Sequence, residues 1–450
     1  MLFQFLPATF VTLLLLAAPA AAFTHPIGIH GRYFIDTVTR QPFFLKGIDY
    51  QPGGSSAVTE SIDPLSDPNT CARDIILFQE LNINTIRVYS INPDLDHDVC
   101  MSMLASAGIY LVLDVNSPLQ GQHMNRYEPW TSYNEDYLEH VFKAIEQFSG
   151  YNNTLGFFAG NEIVNDKKSA RNSPPFIKNL IKDMKLYIDA HSPRSIPVGY
   201  SAADDLNFRV SLSKYLECTD GSFVDSVDFY GVNTYQWCGE QTFYTSGYDA
   251  LTLDYEDYVR PVFFSEFGCN AISPRVFEEV SSIFGDEMIG VFSGGLVYEY
   301  SQEPNNYGLV EIDDKGAVRL MKDFDYLKVQ YTSTEIPTGE RIAELYNRGG
   351  KGLKLGAQAL PECEEEYDNL EITLMVDDSI SSKLLKNGVD AKRGRFVTID
   401  DNDLYTTYQI YNTDGTSFDR KYVRVTQLLD EITEYEAIRL KQLSNDSKYP

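Results

Sequence analysis

Eight short apolar runs recur between residues 43 and 300, each followed by a polar or amphipathic stretch. They span residues 43–50, 85–91, 109–115, 155–163, 196–202, 227–235, 261–269 and 295–300. Several are continuous rather than alternating, the pattern of parallel strands buried on both faces. Between them, apolar residues return at helical spacing. Residues 71–81 place Ile75, Ile76, Phe78 and Leu81 on one face, and residues 137–148 do so with Tyr137, Leu138, Val141, Phe142, Ile145 and Phe148. Residues 176–188 repeat the pattern through Ile177, Leu180, Ile181, Met184 and Ile188. Strands alternating with helices in this way over about 290 residues predict an α/β fold, a (β/α)8 TIM barrel. A doubly wound open sheet is the alternative, but no phosphate-binding glycine fingerprint follows the first strand. Residues 27–44 alternate apolar and polar positions around a turn and read as a hairpin capping the first barrel strand.

After residue 332 the pattern changes. Residues 333–369 are mixed polar and read as a linker or tether containing Cys363, and their Arg348-to-Lys354 stretch fails the spacing of a P-loop. Residues 370–450 carry strand-like runs at 371–376, 395–399, 404–411 and 421–425, separated by Asp, Asn and Gly turns. They predict a small β-rich C-terminal appendage. At the other end, residues 1–22 hold an apolar stretch at 10–18 and then Ala20-Ala21-Ala22, which predicts a cleaved signal peptide.

Composition narrows the choice of partner. The 450 residues carry a formal net charge of -28, and none of it lies in the first 22. So acidic a body repels nucleic acid and anionic lipid, whereas a neutral polysaccharide fits. Six cysteines, Cys71, Cys100, Cys218, Cys238, Cys269 and Cys363, suit three disulfides in an exported chain. Spacing leaves their pairing open. Sequons at Asn152 and Asn445 are candidate glycosylation sites. No CxxC or HExxH pattern occurs, Asp94-Leu-Asp-His-Asp lacks the rest of a calcium loop, and Gly199-Tyr-Ser-Ala-Ala lacks the second glycine of a nucleophile elbow. No metal or other cofactor is expected.

Barrel chemistry is done at the C-terminal ends of strands. The fourth run ends in Gly160-Asn161-Glu162 and the seventh in Ser265-Glu266-Phe267-Gly268. A charge inside an apolar run is costly unless it is paired or used. Either glutamate alone could be bonded to a barrel arginine such as Arg87. Two of them on opposite sides of one mouth are what retaining cleavage of a glycosidic bond requires, at a separation of about 5–5.5 Å.

The blocks Gly47-Ile-Asp-Tyr-Gln-Pro-Gly-Gly-Ser55, Asn84-Thr-Ile-Arg-Val-Tyr-Ser-Ile-Asn-Pro93, Phe158-Ala-Gly-Asn-Glu162, Tyr230-Gly-Val-Asn-Thr-Tyr235 and Phe263-Phe-Ser-Glu-Phe-Gly-Cys-Asn270 resemble the fungal β-1,3-glucanosyltransferases of glycoside hydrolase family 72. The resemblance runs from about residue 23 to 332. It implies that Glu162 is the general acid/base, expected to arrive protonated, and that Glu266 is the nucleophile, expected to stay ionised. It implies that Asn161 bonds the 2-hydroxyl of the reacting sugar, and that Gln51, Tyr89, Asp114, Tyr235, Tyr298 and Tyr307 line the subsites. Asp204 and Arg209 would stand on the acceptor side. It pairs the cysteines as Cys71–Cys100, Cys218–Cys363 and Cys238–Cys269. Donor and acceptor β-1,3-glucan chains are then the partners, at the extracellular cell surface or wall. Plain endo-β-1,3-glucanase hydrolysis and non-catalytic wall binding are the rival functions. Two family features are not found: a cysteine-rich carbohydrate-binding module after the barrel, and the small-residue site with apolar tail of a glycolipid anchor. Membrane association is expected only through such an anchor.

Overall fold

Strands that are apolar on both faces need cover on both, and a closed barrel inside a ring of helices supplies it. The structure, a computed structural model, describes residues 24–222, 224–349, 356 and 358–427. It opens with a three-stranded antiparallel sheet, β1 (Ile27–His30), β2 (Tyr33–Asp36) and β3 (Pro42–Phe43). Eight parallel strands follow: β4 (Leu45–Asp49), β5 (Thr85–Val88), β6 (Tyr110–Asp114), β7 (Thr154–Asn161), β8 (Val198–Ala203), β9 (Phe229–Asn233), β10 (Val262–Phe267) and β11 (Phe292–Val297). Each pairs with the next and β11 pairs with β4, so the barrel closes.

The outer layer is α1 (Pro68–Glu80), α2 (Asp98–Ser106), α3 (Glu135–Phe148), α4 (Lys167–Asn172), α5 (Pro174–His191), α6 (Arg209–Glu217), α7 (Tyr248–Asp254) and α8 (Glu279–Ile283). Local sequence sets their starts. The Asp67 side chain accepts from the Asn69 amide ahead of α1, with Pro68 in the first turn. Asn134 caps α3 by accepting from the Tyr137 amide, and Glu135 and Asp136 complement the helix dipole. Their apolar faces close over the strands as one large core.

A second, smaller core fills the barrel's lower interior. Leu45, Val112, Phe158, Phe229, Phe263 and Leu296 meet there, and Phe34 of β2 plugs the end. The Phe34 ring lies 5.5 Å from Phe229 and 5.9 Å from Phe263. The opening hairpin is therefore a floor. Its inward phenylalanine removes water from below the site.

Two expectations are corrected. The eighth strand begins at Phe292, earlier than the run at 295–300 indicates. The run opens at Gly295, but Phe292, Ser293 and Gly294 already lie inside the strand. Gly294 adopts φ +94°, and a Cβ there would come 2.1 Å from the Leu45 carbonyl oxygen. The glycine lets β11 approach β4 and close the barrel.

The second correction concerns the appendage. After β12 (Val310–Ile312), β13 (Val318–Leu320), α9 (Lys322–Ser333) and α10 (Gly339–Asn347), the described chain up to residue 427 forms one further helix, α11 (Ser379–Asn387), and one two-residue strand, β14 (Ile410–Tyr411). It is a belt, and not β-rich. Cys218–Cys363 ties its start to the barrel. The Ser381 hydroxyl bonds Asp183 of α5, and Lys383 pairs with Glu135 of α3. The Gly394 amide donates to the Gln147 carbonyl, and Arg395 N and Val397 N donate to Asp98 and Ser102 of α2. Thr407 N donates to Asn69 of α1, and β14 then pairs with β13. An extended chain lying with one side against helices shows the same two-residue apolar alternation as a sheet strand. Its amides are shared between the barrel's surface groups and the belt itself, where Tyr405 bridges Tyr422 and Tyr411 bridges Ser417, so no continuous sheet forms. The signal-peptide expectation at 1–22, the sequon at Asn445 and the rest of the chain after residue 427 lie outside the described residues.

Candidate active site

Alternate residues of a strand point inward, so the last inward residue of each barrel strand faces the mouth. Asp49 (β4), Arg87 (β5), Asp114 (β6), Asn161 (β7), Ser201 (β8), Asn233 (β9) and Glu266 (β10) occupy this tier. Glu162 follows β7 directly. Its backbone is left-handed, with φ +47°, and its amide donates to the Ser201 carbonyl at 2.8 Å. A non-glycine residue in that region is strained by about 1–2 kcal/mol. The register shift between Phe158 and Asn161 delivers both Asn161 and Glu162 to the mouth.

Arg87 is the hub. It is fully buried, and its guanidinium grips Asp114 with two bonds, at 3.0 and 2.9 Å. It also donates to the Ser265 carbonyl, to Glu266 Oε1 at 3.2 Å and to Asn161 Oδ1 at 3.0 Å. Its cation lies 4.2 Å from the Tyr89 ring centroid and 4.7 Å from that of Phe158. The bland alternative for Glu266, a bond to Arg87, is thus real. It belongs to the site and does not replace it.

Glu266 receives three donors. Besides Arg87, the Tyr89 hydroxyl reaches Oε1 at 2.8 Å and the Tyr235 hydroxyl reaches Oε2 at 2.6 Å. Burial raises its pKa above the ordinary glutamate value, and the Glu162 charge adds to this; Arg87 and the two phenols pull it back down. Burial likewise raises both phenols, so they stay neutral donors. Glu162 is half-buried, and its Oε1 accepts from Asn233 Nδ2 at 2.8 Å. The same Asn233 nitrogen reaches Asn161 Oδ1 at 3.0 Å. Asn161 Oδ1 also takes the Ser201 hydroxyl, at 2.8 Å. With that oxygen facing three donors, the Asn161 amide nitrogen is left for a ligand. One chain of bonds therefore runs from Glu162 through Asn233, Asn161 and Arg87 to Glu266.

The other sequence-predicted residues divide. Tyr235, Tyr298 and Tyr307 stand together, with ring centroids 5.2 to 6.4 Å apart, and form an aromatic wall beside Glu266. Gln51 is occupied within the protein: its Oε1 accepts from the Tyr89 and Ser90 amides, at 3.0 and 3.1 Å. It orients Tyr89. Asp114 has both oxygens on Arg87. Asp204 and Arg209 pair with each other at 2.8 Å, and Arg209 also grips Asp254. Asp204 accepts from Thr234, the neighbour of Tyr235, so this pair braces the β9 end and makes no bond to either glutamate. The three disulfides join Cys71–Cys100, Cys218–Cys363 and Cys238–Cys269. The last ties the segment after Tyr235 to the segment after Glu266.

Sequence reasoning passed over Asn233 and Asp49. Asn233 was legible as a polar residue closing an apolar run. Asp49 is completely buried, and neither carboxyl oxygen has a hydrogen-bond partner among the described residues. Burial holds its pKa well above the ordinary range, opposed by Arg87 and reinforced by Glu266, Asp114 and Glu299. Its carboxyl lies beneath the site, one strand from Arg87. Glu299 is pushed up to about 7, chiefly by burial. No cluster of three or more His, Cys, Asp or Glu suited to a metal occurs among the described residues, and no helix there is long and apolar enough to cross a membrane.

An eight-stranded barrel with two glutamates linked across its mouth and a tyrosine wall beside them defines a carbohydrate-active enzyme fold of the two-carboxylate class. The chain belongs to the glucanosyltransferase family, glycoside hydrolase family 72, whose model matches residues 16–335. It is 58% identical over 410 residues to the 1,3-beta-glucanosyltransferase GAS4 of Saccharomyces cerevisiae, covering 91% of this chain and 85% of that one. It is 43% identical over 412 residues to the 1,3-beta-glucanosyltransferase gel2 of Aspergillus fumigatus, covering 90% and 84%. Among solved structures, Saccharomyces cerevisiae Gas2p in complex with laminaripentaose superposes with a TM-score of 0.69 at 39% identity, covering 80% of this chain and 79% of that one.

Proposed function

We propose that this protein is a retaining 1,3-β-glucanosyltransferase that cuts a β-1,3-glucan internally and joins the new reducing end to the non-reducing end of another chain. The observation that carries this reading is the bonded network linking Glu162 to Glu266 across one mouth. Glu266 presents its oxygens as acceptors to Arg87, Tyr89 and Tyr235, so it serves as the nucleophile. It attacks the anomeric carbon while Glu162, as the general acid, gives a proton to the departing glycosidic oxygen. The C–O bond to the leaving chain breaks and a glucosyl ester on Glu266 forms. Glu162, now a carboxylate, takes the proton of the acceptor's 3-hydroxyl. That oxygen bonds to the anomeric carbon, and Glu266 is released. Asn161 Nδ2 is placed to donate to the 2-hydroxyl of the reacting sugar.

Water competes in the second step, so transfer needs a held acceptor. The Tyr235–Tyr298–Tyr307 wall suits that role: ring faces cover sugar C–H groups while hydroxyls bond outward. Gln51 and Asp114 act through Tyr89 and Arg87, and Asp204 with Arg209 braces the acceptor-side loop. The substrate is extracellular, at the cell surface and wall. The three disulfides and the acidic body suit that setting. The test is product sizing on a laminari-oligosaccharide of defined length. Products longer than the substrate are expected, and only shorter ones would establish the hydrolase instead. Glu162→Gln and Glu266→Gln should each lower turnover by at least about 10³-fold while glucan binding persists; near-parental turnover in either variant overturns the assignment.

A further inference from the structure

We infer that Arg275 is a positioning residue that sets how the glucosyl-enzyme is shared between a sugar acceptor and water. The inference rests on the transferase reading above.

Arg275 sits in the loop between β10 and α8 and is 3% exposed. Its Nε donates to Asp323 at 2.7 Å. Nη1 donates to the carbonyls of Gly268 and Tyr298, and Nη2 to the carbonyl of Tyr307. Gly268 follows Glu266 by two residues, Tyr298 directly follows β11, and Tyr307 lies in the loop before β12. One planar group thus ties the nucleophile's strand end to both loops that carry the aromatic wall. Its cation also lies 5.6 Å from the Tyr307 ring centroid and 4.8 Å from that of Phe277. Asp323, in the first turn of α9, anchors it from outside the barrel.

Every donor named points into the protein, so Arg275 does not touch the sugar. Its effect passes through the wall. Tyr298 packs against Tyr235 at 6.4 Å, and Tyr235 holds Glu266. Loosening the clamp lets Tyr298 and Tyr307 drift while Arg87, Tyr89 and Tyr235 still hold the nucleophile. The first step, in which the donor is gripped along its length, then changes little. In the second step a sugar hydroxyl must be aligned, and a misplacement of about 1 Å costs as much as 10²-fold. Water needs no such alignment. The loss therefore falls on transfer.

The experiment measures two quantities on linear β-1,3-oligosaccharides: the rate of donor consumption and the ratio of elongated to hydrolysed products. Parent, Arg275→Lys and Asp323→Asn are compared, with thermal unfolding followed for each. Lysine keeps the charge but cannot span three carbonyls and a carboxylate. Asparagine leaves the guanidinium in place with a weaker anchor. For Arg275→Lys the transfer-to-hydrolysis ratio should fall about tenfold and the acceptor KM should rise, while donor consumption falls less than about threefold. Asp323→Asn should move the ratio the same way by about threefold, and it decides the matter if Arg275→Lys does not fold. A ratio within twofold of parent in the folded variants, or donor consumption falling alone, overturns the inference. A parent that makes only shorter products removes the transferase reading and this inference with it. A transferring parent with unchanged variants removes the inference alone.

Discussion

The two ends of the barrel interior are built from the same strands and have opposite characters. Reading inward positions upward, β4 offers Leu45, Gly47 and Asp49; β6 offers Tyr110, Val112 and Asp114; β9 offers Phe229, Gly231 and Asn233. The lower tier is hydrocarbon sealed by Phe34. The upper tier is charge and amide. The floor gains stability by excluding water, and with water excluded below, the charges above interact in a medium where each contact counts for more. The strands thus hold a stabilising end and a reactive end in fixed register. Phe158 is where the two meet, with its ring under the Arg87 cation and its edge toward Phe229.

That division can be tested at the boundary first. Arg87→Met should fail on both counts: it leaves Asp114 and Glu266 buried without their cation, costing about 3–5 kcal/mol of stability, and it abolishes turnover. Urea unfolding and oligosaccharide assay together read this. A stable, active variant would mean the acids are neutral and the hub is dispensable. Phe34→Ala should separate the tiers. It should cost about 3 kcal/mol by opening a cavity in the floor, yet leave kcat per folded molecule within about twofold. A large loss of kcat would show that the floor shapes the mouth directly.

Asp49→Asn sharpens the picture by pH. The folded-state pKa of Asp49 is raised, so the folded protein holds this proton more tightly than the unfolded chain. The resulting stability is complete below the unfolded value of about 3.9 and is lost as pH rises toward the folded one. Asparagine resembles the neutral acid and has no proton to lose. The Tm of the variant relative to parent should therefore climb as pH goes from about 4 to 8. A difference independent of pH would mean Asp49 is ionised in the folded protein.

Much of this was legible before any coordinates. Seven of the eight apolar runs overlap barrel strands closely, because a run buried on both faces is a local property of the chain. The eighth was displaced because Ser293 and Gly294 interrupt the apolar run, and the sequence does not show that the Leu45 backbone lies against Gly294. The belt misled for a related reason. Alternation at 372–376 records one-sided burial, with Ile372 and Val376 packed on the core while Thr373 and Met375 are exposed, and only packing tells whether the buried side meets a sheet or helices. Glu162 and Glu266 stood out because a carboxylate ending an apolar run is anomalous in sequence. Arg275 gave no such signal, since a loop arginine is ordinary until its partners are known.

Sequence alone determined the barrel, the two acids at the ends of its fourth and seventh strands and the cysteines available to staple it. These follow from periodicity and from residue type at strand ends, which act over a few positions. Tertiary structure alone decided which groups hold the acids. Arg87, Asn161, Asn233 and Glu266 are spread over some 180 residues, and closure of the barrel brings them within hydrogen-bond reach. It also decided that Asp204 pairs with Arg209 and that Asp49 has no hydrogen-bond partner among the described residues. Short-range forces act only between groups that the fold has already placed side by side.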